Sequence, residues 1–465
     1  MTSIVKTQPK RVVKDTRGSS YELTEVINRG GQGIVYRTTY PQTLVKGFTN
    51  QDPQERQRWR NHITWLLSQD LSDLKLARPL ILLAEPRFGY VMELMDGLVP
   101  LDSLLNSFIN AGEESLADYL RQGGLRRRIR ILCQLARTLN QLHARGMLYG
   151  DLSPSNIFVS DDPRHAETWL IDCDNISLTA HHNLTLHTVD YGAPEVVRGE
   201  SLLSSLTDVW SFAVIAWQLL THNHPFKGEL VSNGPPEMEE AAMRGEYPWI
   251  NDAQDDANHC FVNLPPELIA HSALPTLFAR CFEQGRFEPH ERPGMAEWLE
   301  ALSAVDERLF TCDSCGGSTL LAEEAESAND AVCFYCDSPA DRLLVRFSEY
   351  VTEQQDGSNP DTKTLIATGR NVWLQPGHRV ELKRLLPSFI YDHWPSDHLQ
   401  IDYTARGIGI HPLLGGELYL QRGETIKPLR GFQGLKNELR GTGGEPWQIH
   451  IGDPGQSHVI WQFTW

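Results

Sequence analysis

Tyr149 to Asn156 reads Y-G-D-L-S-P-S-N, which sets a carboxylate, Asp151, five residues ahead of a carboxamide, Asn156. Alone, such a string is most often a turn, because Asp, Pro and Asn all favour one. Three other stretches give it chemical weight. Trp169 to Asn175, W-L-I-D-C-D-N, ends an apolar run on a second carboxylate, Asp172. Asn28 to Gly33, N-R-G-G-Q-G, supplies Gly30, Gly31 and Gly33, where a missing Cβ lets backbone N–H groups come close to phosphates. Lys46 closes the apolar run T-L-V-K with a positive charge. A second, separate set is Cys312, Cys315, Cys333 and Cys336, written C-D-S-C, seventeen residues, C-F-Y-C. Each C-x-x-C puts two thiolates on one side of a tight turn, and four complete a tetrahedron around Zn2+. Such a closed ligand set is structural. The rival is a redox role, but neither pair sits in a βαβ pattern.

The elements that must position these groups follow from patterning. Tyr21 to Lys46 alternates and breaks as a β-meander does, with a Pro-Gln turn before the strand that ends on Lys46. Asp52 to Gln69 is expected to be a helix, with Asp52 as cap, Pro53 in its first turn, and Glu55 completing a capping box. Its apolar stripe is Trp59, Ile63, Leu66 and Leu67. Gly89 to Gly97 reads as a buried strand and turn. Leu125 to Arg145 reads as a helix that ends at Gly146 and delivers the chain to Tyr149.

Composition narrows the classes. A chain of 465 residues with 40% hydrophobic residues can bury a large core, and three domains are expected. The net charge of −18 would repel a phosphate backbone, so nucleic acid is a poor partner. No apolar run is long enough to span a bilayer, and residues 1–11 hold no apolar leader core, so the expectation is a soluble, cytoplasmic protein without membrane contact. The remaining cysteines, Cys133, Cys173, Cys260 and Cys281, are scattered singly and read as ordinary thiols.

In order along the chain, these motifs resemble those of eukaryotic-like (Hanks-type) bacterial Ser/Thr protein kinases. N-R-G-G-Q-G-I-V resembles the glycine-rich loop, with Val35 over the adenine, and Lys46 falls at the strand lysine that meets the α- and β-phosphates. G-Y-V-M-E-L-M resembles the hinge, with Met92 as gatekeeper and backbone groups of Glu93 and Met95 reading the adenine edge. In Y-G-D-L-S-P-S-N the resemblance makes Asp151 the catalytic base and Asn156 a magnesium ligand, with Asp172 the second. H-T-V-D-Y-G-A-P-E resembles the end of an activation segment, which puts Thr188 against Asp151, and Glu195 opposite Arg292 of the later R-P. T-D-V-W-S-F-A-V resembles the buried helix whose Asp, here Asp208, receives the N–H groups of the catalytic loop. Aminoglycoside-type small-molecule kinases share the G-D-L loop but lack A-P-E, this helix and the R-P.

The resemblance implies a bilobal α+β kinase-like fold over residues 1–305, with ATP and Mg2+ as ligands and protein hydroxyls as substrates. It departs at three places. No carboxylate stands on the helix opposite Lys46, where Asn61 or His62 falls; Tyr149 and Gly150 replace His and Arg; and Ser153 replaces the loop lysine. A pseudokinase, binding ATP without transferring phosphate, is therefore the competing expectation. Some bacterial kinases of similar build act beside a metal-dependent protein phosphatase and a von Willebrand factor A-type protein, and such partners are expected here. Residues 306–340 are expected to form the zinc ribbon, and the seven acidic residues against one basic residue from Glu307 to Ala340 disfavour nucleic acid. Residues 341–465 carry short alternating runs between Gly and Pro turns and are expected to form an all-β binding module. Its likeness to forkhead-associated modules is faint, since their S-x-x-H pattern is missing.

Overall fold

Six alternating segments build the sheet that carries Lys46: β1 (Arg11–Lys14), β2 (Ser20–Arg29), β3 (Gly33–Thr38), β4 (Thr43–Phe48), β5 (Pro79–Leu82) and β6 (Gly89–Glu93). They pair antiparallel in the order β1-β2-β3-β4-β6-β5. This is a computed structural model, and it describes residues 11–30, 33–109, 115–178, 188–261, 264, 266–322, 331–340, 344–354, 363–382, 399–413, 417–441 and 444–465. The period of two along β4 sends Leu44, Lys46 and Phe48 to one face and Val45 to the other. Val45 packs with Val13, Leu83 and Val91. Leu44 and Phe48 pack with Tyr90, Met92 and Ile63 of the helix α1 (Pro53–Leu67).

Asp52 caps α1 by accepting hydrogen bonds from the N–H groups of Gln54 and Glu55, both at 2.9 Å. The expected capping box is not completed. Glu55 turns outward to Arg58 at 2.6 Å, because both side chains sit on the exposed first turn, where an i,i+3 pair forms more readily than a bend back to the cap.

Chain contacts divide the protein into two compact units. One takes the chain to Gly123, then Arg127–Pro266 and Leu274–Glu300; the other takes Gly124–Arg126, Glu267–Ala273 and Ala301–Trp465. Beyond the sheet, the first unit is mainly helical. Its centre is the helix Ser205–Thr221, nearly all of it buried, with Phe212 and Trp217 edge-on to the aromatic rings of Trp249, Phe278 and Trp298. No described helix is long and apolar enough to cross a membrane.

In the second unit, Leu309–Thr311 pairs with Ser318–Leu320 across the first cysteine pair. Beyond it run two antiparallel sheets. One has six strands, in the order Lys363–Leu374, Val345–Gln354, Val459–Phe463, Trp447–Ile451, Leu418–Arg422 and Thr425–Pro428. The other has four, Arg379–Leu382, Leu399–Thr404, Gly407–Pro412 and Gln433–Lys436. Leu399, Ile401 and Tyr403, alternating along one strand, meet Phe347, Ile449 and Trp461 of the other sheet in a shared apolar core.

Candidate active site and cysteine cluster

The register of β4 places Lys46 beside Val35 of β3 and Tyr90 of β6. Two glycines make room for that strand. A Cβ on Gly33 would stand 2.7 Å from the Gly47 carbonyl oxygen, and one on Gly89 would stand 2.1 Å from the Lys46 carbonyl oxygen. Sheet packing thus accounts for Gly33, whereas a Cβ on Gly30 would meet nothing within 4 Å among the described residues. Gly31 lies outside the described residues. Val35 is half-buried and packs toward α1, and Met92 is buried in the same cluster. Glu93 ends β6 on an exposed position and Met95 follows half-buried.

Lys46 is 5% exposed, and its ammonium lies between two carboxylates. It donates to Asp172, and to both oxygens of Asp174 at 3.0 and 2.8 Å. Tyr90 donates its hydroxyl to Asp174 at 3.0 Å. Asp174 is wholly buried, while the side chain of Asp172 is 36% exposed. Burial and then the neighbouring Asp174 charge push the Asp172 carboxyl up to about 7. Burial also opposes ionisation of Asp174, but the Lys46 charge and the bonds it receives outweigh that and keep its carboxyl below the ordinary value. Asp172 holds a left-handed backbone, φ 55°, which Asp tolerates better than most residues. From α1, His62 Nε2 lies 2.8 Å from the Asp174 carbonyl oxygen.

The loop bearing Asp151 is fixed from below. Asp208 accepts from the N–H of Tyr149 at 2.7 Å and of Gly150 at 2.9 Å, and His143 Nε2 lies 3.1 Å from it. The Tyr149 hydroxyl donates to the Ile171 carbonyl. Thr188 donates to Asp151 Oδ1 at 2.8 Å, while the Asn156 amide donates to the Asp151 carbonyl at 2.9 Å and reaches Oδ2 at 3.3 Å. Asn156 thus spends its nitrogen on Asp151, and its oxygen is the atom left for a cation. That oxygen and the half-exposed Asp172 carboxylate are both hard oxygen donors, of the kind Mg2+ takes. Ser153 is buried with its hydroxyl 2.9 Å from that of Ser155. The shallow pocket at Asp151 is lined by Gly150, Leu152, Thr188 and Tyr191.

Glu195 and Arg292, 97 residues apart, make a two-pronged buried pair at 2.8 and 2.7 Å. Arg292 also donates to the Gly285 and Leu206 carbonyls at 2.9 Å each, and its guanidinium lies over the Trp210 ring.

The four cysteines Cys312, Cys315, Cys333 and Cys336 bring their sulfurs within 4.8 Å of one another. Cys312 and Cys336 lie 3.6 Å apart, as do Cys315 and Cys333. Zinc–sulfur bonds of about 2.3 Å in a tetrahedron would set sulfurs roughly 3.8 Å apart, so the donor set fits. Both turns share one backbone pattern. Gly316 N–H donates to Cys312 O at 2.8 Å as Asp337 N–H does to Cys333 O at 3.0 Å, and Gly316 and Asp337 both have positive φ. Trp373, from the strand Lys363–Leu374, joins Phe310, Cys312, Leu321 and Cys333 in one apolar cluster. The Gln375 amide bonds both the N–H and the carbonyl of Thr311, at 2.9 and 3.2 Å.

Sequence reasoning missed the contacts of Asp174 and those of Tyr90. The signal was available: I-D-C-D sets two carboxylates two residues apart, while the helix face expected opposite Lys46 has none.

Residues 84–301 match the family model described as the protein kinase domain. Over 310 residues the chain is 26% identical to ribosomal protein S6 kinase alpha-6 of Danio rerio, covering 60% of this chain and 38% of that protein. It is 28% identical over 312 residues to mitogen-activated protein kinase kinase kinase 11 of Homo sapiens, covering 62% of this chain and 31% of that protein. A shorter stretch of 130 residues is 32% identical to serine/threonine-protein kinase pkn2 of Myxococcus xanthus, covering 26% and 16%. Residues 84–301 are thus similar to the kinase domains of Ser/Thr protein kinases, and the chain spans less than two fifths of the length of these relatives.

Proposed function

We propose that the chain is a Ser/Thr protein kinase that moves the γ-phosphate of ATP to protein hydroxyls in bacterial signalling, from a cytoplasmic location. The observation that carries this reading is the grouping of Asp151, Thr188 and Asn156 at one end of a tethered loop. Gly30, the β3 strand and Lys46 are suited to hold the nucleotide, with Glu93 and Met95 at the adenine edge. Asp151, its carboxylate steered by Thr188 and Asn156, orients the incoming hydroxyl and takes its proton. Asn156 and Asp172 are the ligands for Mg2+, which when bound neutralises phosphate charge.

Incubating the purified protein with Mg-ATP and a phosphatase-treated lysate should show transfer, and Asp151→Asn should lower it roughly a hundredfold, as loss of a positioned base does. Equal labelling by both proteins would reject the reading. The competing pseudokinase reading draws on Ser153, whose buried hydroxyl faces Ser155 where the resemblance expects a lysine. For the cysteine cluster the best reading is a structural Zn2+ held by Cys312, Cys315, Cys333 and Cys336. Residues 341–465 are read as a binding module. A metal-dependent phosphatase and a von Willebrand factor A-type protein remain the partners that the resemblance suggests.

A further inference from the structure

A lysine ammonium as deeply buried as that of Lys46 must be matched by charge, and the face of α1 opposite it offers none: His62 stands there. The match comes from Asp174, which meets the ammonium with both carboxylate oxygens and is itself braced by the Tyr90 hydroxyl. Asp174 has no exposed surface, and three of the roughly four acceptor sites of a carboxylate are taken by these contacts. Asp172, on the same turn, keeps a third of its side chain open. The two carboxylates are thereby sorted, one turned toward the space where a ligand arrives and one confined behind the lysine. The helix is tied to this arrangement through the backbone, by the His62 ring on the Asp174 carbonyl.

We propose that Asp174 is the positioning residue that aims Lys46 at the nucleotide phosphates, and that His62, by holding the Asp174 carbonyl, makes the placement of α1 control that aim. A carboxylate two residues beyond the metal-binding Asp thus takes over the charge that the helix lacks, and the helix acts through an imidazole–carbonyl hydrogen bond. This rests on the kinase reading.

The test measures ATP affinity and the kinetics of phosphotransfer on the full chain, with thermal unfolding as the control for folding. Asp174→Asn keeps the shape but removes the charge. It should raise KM and Kd for ATP about tenfold or more, with kcat/KM down about a hundredfold, the cost of misplacing a binding group by about 1 Å. Asp174→Gly with His62→Glu returns a carboxylate from the helix and should recover at least tenfold over Asp174→Gly alone. His62→Leu should raise KM for ATP several-fold, and His62→Gln, whose amide still donates, should restore most of it. Wild-type KM and Kd in folded Asp174→Asn, while Lys46→Met loses ATP, would overturn the proposal. So would identical behaviour of His62→Leu and His62→Gln, which decides the matter if Asp174→Asn does not fold. If the wild type transfers no phosphate, the kinase reading fails by itself, and the ATP affinities of the same variants still judge the role of Asp174.

Discussion

Two buried ion pairs in the first unit use the same chemistry to opposite ends. At Arg292 and Glu195 one cation meets one carboxylate, and the spare guanidinium donors are spent on two carbonyls. At Lys46 one ammonium meets two carboxylates, and one of those is partly open. The first set is balanced, one charge against one, so no charge is left for a ligand to satisfy. The second carries one negative charge too many, which a bound cation would offset, and burial together with the Asp174 charge pushes the Asp172 carboxyl up to about 7. Charge imbalance in a buried cluster, more than burial itself, separates a site awaiting a ligand from a strut.

The cysteine cluster takes that imbalance to its limit, with four sulfurs converging. The largest expected effect is therefore metal removal. A chelator should unfold residues around the two turns, since structural zinc in small peptides contributes on the order of 10–16 kcal/mol of folding energy. Trp373, packed on Cys312 and Cys333, should report this as a fluorescence change, and elemental analysis should find one zinc per chain. Absence of zinc, with both thiol pairs cycling to disulfides under mild oxidant, would remove the cluster from the comparison and revive a redox role.

Next in size is Arg292→Ala, which strands Glu195 in the interior and should destabilise the first unit by about 3–5 kcal/mol in denaturant unfolding. Lys46→Met should cost less stability, because Asp172, its carboxyl already near 7, can take up a proton and donate it to Asp174 beside the Tyr90 hydroxyl once the ammonium is gone, yet it should weaken ATP binding at least tenfold. Equal stability losses in the two variants would erase the distinction between strut and site. The smallest effect belongs to Glu55→Gln. Its carboxylate faces Arg58 on the surface, so activity should not change and stability should move by less than about 0.5 kcal/mol. A large loss of phosphotransfer would mean that Glu55 swings inward to Lys46, and the account of Asp174 would have to share its role.

Much of this was legible in the sequence where a motif carries its own surroundings. T-D-V-W-S-F-A-V is mostly apolar and runs on into I-A-W-Q-L-L, so the helix it forms must be buried, and an Asp near its start must find donors. The alternation of T-L-V-K-G-F likewise set Lys46 on the same face as Leu44 and Phe48. The partner of Lys46 was not legible in the same way. Asp174 lies 128 residues away, and what brings it there is the turn around Asp172, whose positive φ no periodicity announces. The capping box failed for a related reason: the motif names Asp52 and Glu55 but is silent on Arg58, whose competing attraction decides which way Glu55 turns.

Tyr149 bears on how the two halves of the chemistry move. Its ring is buried, its backbone hangs on Asp208, and its hydroxyl holds the carbonyl of Ile171, the residue just before Asp172. One phenol therefore acts as a rigid crossbar between the loop of Asp151 and the turn of Asp172. The spacing between the loop of Asp151 and the turn of Asp172 is thereby set in part by the length of that ring.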